Sequence, residues 1–62
     1  MNEIRLKCYK EPLNEKGDKV MNFTKNKTYI GFEDSEGGFH VLDDNDHGQH
    51  FFDVLVIFKV IN

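Results

Sequence analysis

Three features of this 62-residue chain predict an all-β fold, a small five-stranded and partly open barrel. Short apolar runs recur along it, each bounded by Gly, Asn, Asp or Pro, which is the spacing of strands and tight turns. No stretch carries the apolar periodicity of a helix of conventional length. The chain is also short enough for only one domain, residues 1–62, and closing a small sheet on itself hides the unpaired strand edges that invite aggregation.

The first strand comes from Ile4, Leu6 and Cys8, which alternate with Arg5, Lys7 and Tyr9. A period of two marks a strand with one buried face. Cys8 lies on the apolar parity and is expected to be a small buried hydrophobe rather than a reactive thiol. As the single cysteine it forms no internal disulfide and completes no zinc-finger pattern.

Lys10 to Asn22 interrupts the pattern with Pro12, Asn14, Gly17 and charges of both signs. A loop of this length is long for so small a domain, and it is either a binding loop or an excursion anchored by Leu13 or Val20. Val20 to Phe23 is expected to re-enter the sheet as a short extended arm. Thr24 to Asn26 then turns into a β-rich run, Thr28-Tyr29-Ile30-Gly31-Phe32. Gly31 inside that run signals a bulge, a sharp bend or the close approach of another backbone.

The turn Glu33 to Gly38 closes a hairpin onto a strand from Phe39 to Asp43. A second hairpin follows, its Asp43-Asp44-Asn45-Asp46-His47-Gly48 tip rich in turn formers, with Gly48 expected to supply a positive φ. Of the last eleven residues before Asn62, nine are large and apolar. A 3₁₀ turn around Asp53 to Leu55 would change the facing parity before a final strand, Val56 to Ile61. The remaining apolar excess is expected to meet a partner.

In order, Arg5-Leu6-Lys7-Cys8, Phe23 to Tyr29, Phe39 to Asp44, Phe51-Phe52 and Phe58-Lys59-Val60-Ile61 resemble small phage- and prophage-encoded proteins with Src-homology-3-like barrels. The resemblance spans most of the chain but carries only short, degenerate motifs. It implies that fold and a phage setting, and it assigns no reaction, because the family's role is mostly unassigned. The chain departs from the pattern at Gly31, where a larger aliphatic residue is usual, and in the loop Lys10 to Asn22.

Charge and motifs then narrow the function. Residues 1–27 hold seven basic residues against four acids, and residues 28–62 hold Lys59 against seven acids, for a net charge of −3. That total disfavours wrapping a phosphate backbone, although Arg5, Lys7, Lys25 and Lys27 with Tyr9 and Tyr29 could form a local nucleic-acid surface. Counted from Asp43 as a calcium loop, the run places His47 at the fifth position and Val54 at the twelfth, so two ligands fail. His40 and His50 would sit cross-strand if the hairpin centres near Asn45, but His40, His47 and His50 have no recognisable ligand spacing, and no metal or other cofactor is expected.

No nucleophile–base pair, sheltered carboxylate pair or phosphate-binding glycine loop is evident, so no enzyme activity is expected. The start of the chain lacks a secretory apolar core, and its longest apolar run, Val54 to Phe58, is far too short to cross a bilayer. A cytoplasmic location is therefore expected, and the resemblance to phage proteins implies that the cytoplasm is that of a bacterial host. The reading is a non-catalytic interaction module that binds and inhibits or redirects a bacterial host or defence protein. Its expected contacts are Tyr9, Phe32, Glu33, Asp34, Glu36, Asp43, Asp44, Asp46 and Phe52. A homodimer through the C-terminal strand is compatible with that reading.

Overall fold

The computed structural model describes residues 2–61 and contains five antiparallel strands in one sheet. They are β1 (Glu3–Cys8), β2 (Thr28–Glu33), β3 (Phe39–Leu42), β4 (Gly48–Phe51) and β5 (Phe58–Val60), with a 3₁₀ turn, η1 (Val54–Val56), before the last. The spatial order is β4-β3-β2-β1-β5. β4 and β5 are the two ends of that order, so the sheet is not closed on itself through its strand pairing, contrary to expectation. Among the described residues, no helix is long and apolar enough to cross a membrane.

Alternation along each strand sorts side chains onto two faces. Leu6 and Cys8 of β1, Tyr29 of β2, Val41 of β3, Phe51 of β4 and Phe58 of β5 point into the core. The opposite face carries Arg5, Lys7, Ile30, Leu42, His40 and His50, all exposed. Asp53 caps η1 by accepting the Leu55 amide at 3.0 Å. The turn sends Val54, Ile57 and Phe58 inward and leaves Leu55 and Val56 outside. The parity change expected near Asp53 is thus present.

The long loop is better ordered than its composition implies. Leu13 and Lys19 form a β-bridge, and Val20 donates its amide to Pro12 at 2.8 Å. At the tip the Asn14 side chain accepts the amides of Lys16 and Asp18, while Gly17 takes a φ of +82°, a conformation that favours glycine. Leu13 and Val20 are exposed and anchor nothing. The anchor is Phe23, fully buried among Tyr29, Phe51 and Phe58 with ring centroids at 4.9, 5.8 and 5.1 Å. Val20 to Phe23 adds no strand to the sheet.

Gly31 keeps regular register with Ile4 on one side and Val41 on the other, so there is no bulge. A Cβ there would lie 3.2 Å from Leu6 Cδ1, 3.3 Å from Val41 Cγ2 and 3.4 Å from Ile4 Cγ1. What approaches Gly31 is therefore three side chains rather than another backbone. In the β3–β4 turn the positive φ belongs to Asp46, at 60°, and Gly48 begins β4 instead. An Asp tolerates that conformation because its short polar side chain is among the few that do.

Candidate interaction face

Two exposed regions and two acidic turns contain the residues expected to make contact. Tyr9 follows β1, and its ring is partly exposed. Its hydroxyl donates toward the carbonyls of Leu55 and Val56, at 2.8 and 3.1 Å, which ties the ring to η1. Leu55 and Val56 are both more than half exposed. Lys59 reaches over the same ring, its Nζ 5.6 Å from the centroid. The result is a fixed aromatic ring beside two outward aliphatic side chains.

Phe52 lies just past β4 and is 79% exposed, the most exposed of the large apolar side chains among the described residues. It packs edge-on against His50, with ring centroids 4.6 Å apart. Phe32 is half-buried and sits opposite His40 in the β2–β3 ladder.

The six expected acidic contacts do not share one surface. Glu33, Asp34 and Glu36 lie where β2 turns into β3, whereas Asp43, Asp44 and Asp46 lie where β3 turns into β4, at the other end of that strand. Asp43 is buried rather than exposed. Its carboxylate accepts the Asn45 and His47 amides, both at 2.9 Å, and the Gln49 side-chain amide at 3.0 Å. These donors, the His47 amide foremost, hold its carboxyl below the usual carboxylate range. Burial with both oxygens engaged gives Asp43 a turn-building role.

Asp44 is a clasp. It accepts hydrogen bonds from Lys27 Nζ at 2.6 Å, the Tyr29 hydroxyl at 2.8 Å and the Thr24 hydroxyl at 2.8 Å. Lys27 first, then Tyr29 and Thr24, hold its carboxyl down at about 2. The same ion pair pushes the Lys27 ammonium up. Its backbone amide also donates to Asn22, so one residue joins the long loop, β2 and the β3–β4 turn. Glu36 and Asp46 remain exposed, and Glu33 accepts from Asn2 at 3.2 Å.

On the strand face opposite the core, Arg5, Thr28, Ile30 and Leu42 line an open groove of about 510 Å³ with Lys27 and Asp44 at its side. Of the residues expected for nucleic-acid contact, Tyr29 is buried and Lys27 is paired with Asp44. Arg5 and Lys7 stay exposed, and Lys7 lies directly opposite Lys59 in the β1–β5 ladder. Like charges in that position repel, and the Lys59 ammonium lies over the Tyr9 ring.

Cys8 is fully buried, and burial pushes its thiol up. Its Sγ lies 3.3 Å from the Lys10 carbonyl. The His pair sits as the hairpin arithmetic predicts, His40 directly across from His50. His47 stands apart in the turn. The sequence reading missed two things here: Asp34 faces both imidazoles, and Leu55 with Val56 flanks Tyr9. An Asp at the head of a Gly-terminated turn was the available signal for the first.

No protein-family model matches the chain, and no characterised protein or solved structure is significantly similar to it.

Proposed function

We propose that this chain is a non-catalytic protein-interaction module of the phage type, with a Src-homology-3-like architecture, that binds a bacterial protein and inhibits or redirects it. The architecture is supported by the strand order, the long loop between the first two strands, and the 3₁₀ turn before the fifth. One observation carries the binding role: Tyr9 is exposed yet pinned to η1 by its hydroxyl, beside the outward Leu55 and Val56.

A fixed aromatic ring loses little conformational freedom on binding, and such rings dominate interface energies. Phe52 supplies a second exposed ring. The surface therefore suits a partner that presents an apolar segment. Acidic steering toward a basic partner is weaker than composition implies, because Asp43 is buried and Asp44 is neutralised by Lys27.

The test is affinity capture from bacterial lysate with the wild-type chain and with Tyr9→Ala and Leu55→Asp variants, each confirmed folded by circular dichroism. A discrete partner captured by the wild type and lost by both variants supports the proposal. A partner captured equally by all three refutes this face, and capture of nothing specific refutes the module.

A second reading rests on Arg5, Lys7 and Lys59 with Tyr9, a basic strip beside an aromatic ring. Single-stranded nucleic acid binds such surfaces through phosphate contacts and base stacking. Titration at two salt concentrations separates it: no affinity at low salt removes nucleic acid.

A further inference from the structure

We propose that Asp34, His40 and His50 form a binding site for one divalent transition-metal ion of the zinc type. Their three donor atoms lie within 4.8 Å of one another. His50 Nε2 is 3.1 Å and His40 Nε2 is 3.2 Å from the same oxygen, Asp34 Oδ2. Ligand atoms around a tetrahedral zinc ion stand about 3.4 Å apart, as bond lengths of about 2.0–2.1 Å require. The two Asp34–imidazole distances need to open by only a few tenths of an ångström to admit an ion, and the third, between the imidazoles, is adjusted by rotation of two exposed side chains.

The site is prepared by its surroundings. Asp34 Oδ1 is occupied by the backbone amides of Glu36 and Gly38, at 2.9 and 2.8 Å, so the carboxylate is fixed with Oδ2 left to face the imidazoles. The β3–β4 register holds His40 and His50 opposite each other on the exposed side of the sheet, ring centroids 5.0 Å apart. Gly38 makes room for one of them: a Cβ there would lie 2.3 Å from His50 Nε2. Phe52 braces the same ring from its edge.

Two neutral imidazoles and one carboxylate are the donor set that zinc takes with three protein ligands, and the solvent side of the cluster supplies the fourth position. One carboxylate against a doubly charged ion leaves a local charge of +1. Bound metal would lock the β2–β3 turn to β4 through three side chains distant in sequence.

The experiment is isothermal titration of zinc chloride into the intact chain, freed of metal by chelation, with proton NMR of the imidazole signals as a second readout. Saturable binding of one ion per chain is expected, with the His40 and His50 signals shifting and those of His47 unmoved. His40→Ala, His50→Ala and Asp34→Asn should each weaken binding roughly tenfold or more, since even residues behind a metal's ligands matter that much. His47→Ala should leave it unchanged. Both cluster histidines are exposed, so their variants remain folded and decide the matter if Asp34→Asn does not. Absence of saturable binding, a stoichiometry other than one, or an equal effect of His47→Ala overturns the site.

Discussion

Phe23 tests the packing argument most directly, because it comes from the loop and yet is fully buried at the centre of the core. Its ring contacts those of Tyr29, Phe51 and Phe58, two of the three in edge-to-face geometry. Truncation of a buried Phe to Ala removes about 3–5 kcal/mol. The whole domain, at about 0.05–0.15 kcal/mol per residue, holds only about 3–9 kcal/mol. Phe23→Ala is therefore expected to remove between about a third and all of the stability of the fold.

Phe23→Leu allows a measurement. It keeps an apolar side chain and loses the aromatic pairings, each worth about 0.5–1.5 kcal/mol beyond area, part of which the leucine restores by packing. A net loss of about 1–2 kcal/mol is expected. With a urea slope of about 1 kcal/mol/M for so small a domain, the midpoint falls by about 1–2 M. The control is Leu13→Ala, in the same loop but half exposed, expected within about 0.5 kcal/mol of wild type. Urea unfolding followed by circular dichroism reads all three. A midpoint for Phe23→Leu indistinguishable from that of Leu13→Ala would refute the claim that Phe23 anchors the loop.

Acid should destabilise the fold. The carboxyls of Asp34, Asp43 and Asp44 are all lower in the folded chain than their usual 3.8, Asp44 at about 2. Groups lowered on folding stabilise fully above the unfolded value and lose that contribution as pH falls through the folded one. Melting temperature is thus expected to drop between about pH 5 and pH 2, with a smaller drop in Asp44→Asn; a flat profile would contradict the clasp. Gly31→Val should cost about 1–3 kcal/mol by overpacking against Ile4, Leu6 and Val41, measured by urea unfolding, and a neutral result would mean those side chains yield freely. Cys8 should react with a disulfide reagent only as denaturant unfolds the chain, since it is buried and its thiol is pushed up; immediate labelling in buffer would place it on the surface.

Much of the architecture was legible because it rests on local rules. Alternation marked β1, turn residues marked both hairpins, and the centre near Asn45 placed His40 across from His50. The 3₁₀ turn was readable from the broken alternation after Phe51. Contacts set by distant residues were not readable. Nothing near Phe23 shows that three later aromatics close around it, and nothing near Asp44 shows that Lys27, Thr24 and Tyr29 converge on it. The acids that composition pools into one face lie in two turns separated by β3, which only the pairing of the strands reveals.

By itself the sequence determined strand parity, turn positions and the burial of Cys8, because each depends on steric and solvation preferences of near neighbours. Only the tertiary structure decided that the sheet ends at β4 and β5, that the long loop plugs the core with Phe23, and that Tyr9 is pinned to η1. The same holds for the convergence of Asp34, His40 and His50. Those outcomes depend on which strands pair and how far apart their ends fall, and residues far apart in sequence become neighbours only when the sheet forms.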